Sequence, residues 1–389
     1  MNKVNKNRVV VGMSGGVDSS VAAALLKQAG FDVVGVMMRF WHAPRSLGGV
    51  GKEENKCCSL ESERMARLVA KKIGIPFYVL NVEKEFKKKV VDYFLREYKN
   101  GKTPNPCVVC NKEIKFGLLL EKALKLGADF IATGHYAQIF RSRSATNFFP
   151  AVGSPLCPST SLRTSGPRPA KSLLPRLFTA CDESKDQSYF LWQLNQKQLK
   201  HVLFPVGNYT KPEVRELAKK FNLPTAETPE SQEVCFVSDS TNNFLKKYLK
   251  PKAGNIVDLN NKIIGKHNGL CFYTIGQRKG IELQQGPWFV VDKNFKKDTL
   301  VVSKNQKDLF KKELVAKNVN WIFGTAPKLP LKIKVKIRYG AKEASATIYK
   351  IKAKIYKLEF TKPQRAITPG QSAVFYRGKE LLGGGAIDN

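Results

Sequence analysis

The run GMSGGVDSS, residues 12–20, constrains this 389-residue chain more than any other stretch. It follows RVVVGM (8–13), a short continuous apolar segment of the kind that forms a buried parallel strand. It precedes a helical pattern over 19–29, with Gly30 where a C-terminal cap belongs. A strand, a glycine turn and a helix in that order make an anion site. Gly15 and Gly16 let the backbone turn tightly, and the unpaired N–H groups at the helix start favour negative charge. Ser14, Ser19 and Ser20 add hydroxyls. Asp18 would repel a bare phosphate, so the site suits an anion carried with Mg²⁺. The ordinary P-loop is excluded, because it needs G-x-x-x-x-G-K-[ST]. Gly101-Lys102-Thr103 is a decoy, with Arg96 at the first glycine position and Pro104 blocking a helix.

Strands and helices keep alternating. Strands are predicted at 31–40, 77–82 and 129–133, and helices at 59–73 (capped by Ser59), 83–98 and 113–126. This is the pattern of a doubly wound α/β parallel sheet. Residues 141–180 break it, with six prolines, eleven Ser/Thr, six Arg/Lys and no acid. They read as a flexible basic insertion. Helical signals at 196–202, 211–221 and 242–248 define a small central segment. After Gly254 short alternating runs take over (288–291, 300–302, 332–337 and 344–348), as expected of a C-terminal β-barrel or sandwich. The expected domains are 1–184, 185–253 and 254–389.

Charge narrows the partner. Against 32 acidic residues stand 66 Lys+Arg, a formal net charge of +34, and residues 311–365 alone hold fifteen Lys/Arg against three acids. Such an excess points to a polyanion, nucleic acid or an anionic membrane face. No window approaches the ~18 consecutive apolar residues of a membrane span, and the basic N-terminus has too short an apolar run for a signal peptide. Eight scattered cysteines without an export signal suit a cytoplasmic setting, where they act as thiols, ligands or transient disulfides. Cys107 and Cys110, in TPNPCVVCNKEIKFG (103–117), have the spacing of a metal clip, a redox pair or a nucleophile with a neighbour. Cys235, in ESQEVCFV (230–237), lies in a predicted loop after the helical segment, flanked by Glu230 and Glu233.

The SGGxDS pattern resembles the PP-loop of ATP pyrophosphatases, which cleave ATP between the α and β phosphates and adenylate an oxygen. Adenylation makes that oxygen a leaving group, and a thiolate or persulfide is a strong nucleophile to displace it. The whole chain then resembles the tRNA-specific 2-thiouridylase family. The resemblance is carried by GMSGGVDSS (12–20), CCSLES (57–62), TPNPCVVCNKEIKF (103–116), ATGHYA (132–137), KDQSYFL (185–191) and LFPVGNYTKPEVRELA (203–218). It continues through SQEVCF (231–236), YTIGQRKG (273–280), WFVVDK (288–293), KIRYG (336–340) and PGQSAVFY (369–376), all in family order. Only 141–180 has no counterpart.

The resemblance implies 2-thiolation of the wobble uridine, position 34, in tRNAs for Lys, Glu and Gln. ATP with Mg²⁺ adenylates the uracil C2 oxygen, and sulfur arrives as a persulfide from a sulfurtransferase or cysteine desulfurase. It implies Cys110 as nucleophile and Cys235 as persulfide carrier, with a disulfide between them as sulfur is released. ATP would meet Gly12, Met13, Ser14, Gly15, Gly16, Val17, Asp18, Ser19, Met38 and Gly134. The tRNA would meet Asn105, Pro106 and Cys107 at the target base, then His135, Lys185, Asp186, Gln187, Arg338, Tyr339 and Gln371. In well-known members an aspartate proposed as a general base stands where this chain has Cys107, so that role does not transfer. An iron–sulfur cluster on Cys107, Cys110 and Cys235 is the alternative mechanism. Structural zinc lacks a fourth ligand of matching spacing, and Cys57 and Cys58 match a family pair without a chemical role. Two rival classes remain at this stage: another PP-loop ligase, which needs no paired cysteines, and a non-enzymatic RNA-binding protein, which needs no phosphate loop.

Overall fold

The computed structural model describes residues 7–42, 59–141, 174–229, 234–237 and 240–388. Its first sheet has five parallel strands in the order β3-β2-β1-β4-β7. They are β1 Arg8–Gly12, β2 Asp32–Arg39, β3 Phe77–Asn81, β4 Phe130–Thr133 and the short β7 Val202–Leu203. Val9 and Val11 of β1 are fully buried, as its apolar run demands. From β1 the chain moves outward to β2 and β3, then returns to place β4 on the other side. The crevice between β1 and β4 is therefore the switch point where open α/β sheets bind ligands.

The helix Leu60–Ile73 forms as expected. Ser59 caps it by accepting from the Ser62 N–H, and Gly74 ends it in the left-handed conformation. The helix expected over 113–126 differs. It begins at Pro106, with Pro106–Cys110 α-helical, Asn111–Leu118 π-helical and Leu119–Lys125 α-helical again. Proline is favoured at the first helical position because its missing N–H would be unpaired there anyway. Cys107 and Cys110 thus ride on the helix rather than before it.

Part of the stretch 141–180, expected to be irregular, is regular structure. β6 Arg176–Phe178 pairs antiparallel with β5 Gln138–Phe140, and with the terminal strand β17 Glu380–Ile387. Residues 142–173 lie outside the described residues, as do Cys57, Cys58, Glu230 and Glu233.

Beyond Gly254 there are two sheets. One has four strands, β10-β11-β8-β9: β8 Gly254–Val257, β9 Ile263–His267, β10 Phe289–Asn294 and β11 Thr299–Ser303. The other runs β12-β15-β14-β13-β16-β17 and closes through β12–β17, a six-stranded barrel. Its strands are β12 Phe310–Trp321, β13 Leu331–Lys336, β14 Ala344–Lys352, β15 Ile355–Arg365, β16 Ser372–Arg377 and β17. Its interior is a separate apolar core that includes Leu314, Val335, Ile348, Leu358 and Phe375. No described helix is long and apolar enough to cross a membrane.

Candidate active site

The phosphate loop is tied by its own serines. Ser19 Oγ accepts from the Ser14 N–H at 3.2 Å and donates to the Gly16 carbonyl at 3.1 Å. Gly15 takes φ +77°, and a Cβ there would collide with the Ser62 carbonyl, so glycine is required twice over. At the end of β4, a Cβ on Gly134 would lie 2.6 Å from Ser19 N. That absence of a side chain lets β4 close on the loop.

A cleft of about 210 Å³ opens between these elements. Gly12, Met13, Ser14, Asp18 and Ser19 line it from the loop, and Met38 and Phe40 from the end of β2. Thr133, Gly134 and His135 line it from β4 and the turn beyond, with Gln187 and Lys115 completing the wall. Five of the residues expected at ATP therefore sit with Met38 and Gly134 around one cavity. Gly15, Gly16 and Val17 form the turn and helix start behind it. Phe40, Thr133 and Lys115 carried no sequence signal of their own.

Asp18 is already engaged by the protein. Its Oδ1 accepts from Lys211 Nζ at 2.7 Å and from the Tyr136 hydroxyl at 2.8 Å. Lys211 is the first residue of the helix Lys211–Lys220 and is almost fully buried. Its ammonium also lies 5.7 Å over the Tyr136 ring. This cation comes from the central segment, 193 residues from Asp18, and sequence patterning could not find it. The cleft still fits Mg²⁺ entering on a polyphosphate, because Asp18 and the serine hydroxyls supply hard oxygen donors.

His135 is buried beside Phe116 and Phe204 and shares a 2.8 Å hydrogen bond between Nδ1 and Thr133 Oγ1. Burial first, and then the Lys115 charge, push its pKa well below the ordinary imidazole value, so it is a neutral ring. Gln187 Oε1 accepts from the Tyr136 N–H at 3.0 Å, which fixes the 185–191 segment against the cleft.

The cysteine helix reaches this cleft through Lys115. Cys110 is buried and Cys107 exposed, and neither is in a disulfide. Cys235, half-buried and likewise a thiol, sits in a turn anchored by Phe236, whose ring packs on Phe86 and Phe94 at 5.8 and 5.2 Å. Those phenylalanines belong to the helical run 83–99, which also packs against Pro106–Cys110.

The loop before Cys107 is held by the barrel. The Thr103 N–H donates to the Pro369 carbonyl at 2.8 Å, and Gln371 Nε2 donates to the Thr103 carbonyl at 2.8 Å. Gly370, at φ +90°, lies so close that a Cβ would sit 3.0 Å from both Thr103 N and O. Tyr189 is hydrogen-bonded to the Asn105 side chain and donates to the Ser372 carbonyl at 3.0 Å. Thr103 and Asn105 are thus gripped from two sides.

Three family profiles together match most of the chain. Residues 7–239 match the profile of the tRNA methyl transferase HUP domain, 242–304 the tRNA methyl transferase PRC-barrel domain, and 311–387 the aminomethyltransferase beta-barrel domain. The chain is 46% identical over 385 residues to tRNA-specific 2-thiouridylase MnmA of Clostridioides difficile, covering 98% of each chain. It is 43% identical over 395 residues to the MnmA of Carboxydothermus hydrogenoformans, covering 100% of this chain and 99% of that one. The chain belongs to the tRNA-specific 2-thiouridylase MnmA family. Among solved structures, the U34-tRNA thiolase NcsA of Methanococcus maripaludis with its 4Fe–4S cluster is 18% identical. Its TM-score is 0.32 over 64% of this chain and 70% of that chain.

Within this MnmA-family chain the iron–sulfur alternative is not favoured. Among the described residues no three His, Cys, Asp or Glu side chains gather to hold a metal, and Cys107, Cys110 and Cys235 do not form a ligand set. The remaining expected RNA contacts divide. Tyr339 is exposed and stacks 4.5 Å from Phe190, a platform an unpaired base can use. Lys185 follows Asp182 in a half-buried turn. Arg338 instead spends its guanidinium on the Ala366 carbonyl (2.7 Å) and Thr368 Oγ1 (3.0 Å). Asp186 is buried and accepts from the Ala180 and Ser188 N–H groups at 3.1 Å each. Gln371 grips Thr103. Of these three, Asp186 is buried, while Arg338 and Gln371 are half-buried.

Proposed function

We propose that this chain is an ATP-dependent tRNA-uridine 2-sulfurtransferase acting on the wobble uridine, position 34, of tRNAs for Lys, Glu and Gln. The observation that carries the reading is a juxtaposition. One helix holds Cys110 and also contributes Lys115 to the wall of the phosphate-loop cleft. An adenylating site and a sulfur nucleophile therefore share one rigid element.

The uracil O2 attacks the α-phosphorus of ATP held by Gly12–Ser19, an O–P bond forms, and pyrophosphate leaves with Mg²⁺. The terminal sulfur of a Cys235 persulfide then attacks C2, and AMP departs with the former O2. Cys110, as thiolate nucleophile, attacks the Cys235 sulfur and releases the product 2-thiouridine. A Cys110–Cys235 disulfide remains, to be reduced by external thiol. The sulfur reaches Cys235 from a sulfurtransferase or cysteine desulfurase in the cytoplasm. Asn105, Pro106 and Cys107 face the target base, while Lys185, Gln187, His135 and Tyr339 meet the flanking RNA. Arg338, Asp186 and Gln371 hold the segments that do so.

Nucleoside mass spectrometry on tRNA incubated with the protein, Mg-ATP and a persulfide donor tests this. 2-Thiouridine is expected with the native chain and absent with Cys110→Ser, with Cys235→Ser or without ATP. Unmodified tRNA under the full mixture overturns the reading.

A further inference from the structure

We propose that Lys115 is a catalytic residue of the adenylation step, its ammonium bonding the α-phosphate as pyrophosphate leaves and again as AMP leaves. The inference rests on the thiouridylase reading and adds a residue to it.

Three observations converge. First, among the described residues lining the cleft, Lys115 is the one that brings a positive charge, since His135 is a neutral ring. Lys211, which bonds the Asp18 carboxylate at 2.7 Å, is not among the residues lining the cleft. Second, Lys115 lines the same cavity as Thr133, Gly134 and His135 at the end of β4 and as Ser14, Asp18 and Ser19 of the phosphate loop, so its side chain borders the space where the phosphates would lie. Third, Lys115 lies in the π-helical stretch Asn111–Leu118, immediately after Cys110. A π-helical turn closes its hydrogen bonds one residue later than an α-helical turn, so it changes which side chains share a face. Lys115 is the residue of this stretch that lines the cleft. Such insertions recur at functional sites because they re-aim a side chain.

The chemistry needs such a cation. As the uracil O2–phosphorus bond forms and the bond to the β-phosphate oxygen breaks, charge builds on the α-phosphoryl oxygens. When sulfur bonds to C2 and the C2–O2 bond breaks, the same phosphate departs as AMP with its charge. A fixed ammonium beside it stabilises both transition states.

The test is tRNA-dependent exchange of labelled pyrophosphate into ATP, a readout of adenylation alone, with native protein, Lys115→Met, Lys115→Arg and Lys115→Ala. Lys115→Met is expected to slow exchange by about 10²–10³, mostly in kcat, with the KM for ATP changed far less. Lys115→Arg should keep most of the activity. Added ethylammonium should restore Lys115→Ala in proportion to its concentration, which a merely structural role would not allow. Exchange by Lys115→Met within threefold of native overturns the proposal, as does Lys115→Ala without amine rescue while its melting transition stays native. A native chain that shows no tRNA-dependent exchange removes the underlying function and the proposal with it.

Discussion

At the scale of single residues, the candidate site works by pairing charges before substrate arrives. Asp18 would be a poor neighbour for a triphosphate if left alone. Lys211 and Tyr136 take up Oδ1, so the loop presents less net negative charge. Lys211→Met leaves that carboxylate without its buried cation. Asp18 is about a third exposed, so water recovers part of the loss. The expected cost is about 2 kcal/mol, between the exposed and buried limits for an ion pair, read from urea unfolding midpoints. The half-saturating ATP concentration should rise about tenfold, the equivalent of roughly 1.4 kcal/mol. His135 makes a second prediction, with a sign. Its folded pKa lies well below the ordinary 6.5 because the neutral ring is buried. The unfolded chain therefore binds the proton more readily. Stability is fully present above about pH 6.5 and is lost as pH falls below it. Thermal midpoints at pH 7.5 and 5.5 should differ more for the native chain than for His135→Asn. An equal difference would refute the assignment.

At the scale of elements, what was legible in the sequence was what is local. β1, the glycine turn and its helix announce themselves by an apolar run followed by GMSGGVDSS, and Ser59 marks the start of another helix by its capping chemistry. The cysteine helix was legible only in part. Two prolines and two cysteines hid its first turn, and nothing in a 3.6-residue period reveals a π-helical stretch. Lys211 and the Thr103 grip were invisible for another reason: their partners are 193 and 268 residues away, beyond any periodicity. That grip predicts that Gly370→Ala, whose Cβ would press on Thr103, slows thiolation by tenfold or more while ATP binding by calorimetry stays native. Misplacing a reacting group by a fraction of an ångström is enough for that. β5 and β6 make a further prediction. Phe140 pairs with Arg176, so Arg141 and Pro175 can be joined by a two-residue Asn-Gly turn. A chain lacking 142–174 in this way should keep its thiolation rate. Loss of folded protein or of activity would show that the excised stretch contributes.

At the scale of the whole molecule, charge and connectivity matter most. A formal +34 with fifteen Lys/Arg in 311–365 predicts tRNA binding governed by counterion release. Affinity by filter binding should fall by about 10³–10⁵ between 50 and 200 mM salt if six to ten phosphates are neutralised. A nearly flat salt response would exclude the barrel's lysines from the interface. Connectivity has a different consequence. The loop before Cys107 is completed by Pro369 and Gln371, and they are braced in turn by the last strand, where the Gly370 N–H meets the Ile387 carbonyl and the Ile387 N–H meets the Gln371 carbonyl. The cleft at the phosphate loop is lined by residues no later than Gln187, whereas the loop before Cys107 takes its hydrogen bonds from Pro369 and Gln371. Loosening the Ile387 end of β17 should therefore lower sulfur transfer while ATP binding by calorimetry stays near native. The strand works as a remote latch, holding a reacting cysteine from a sheet that never touches the nucleotide cleft.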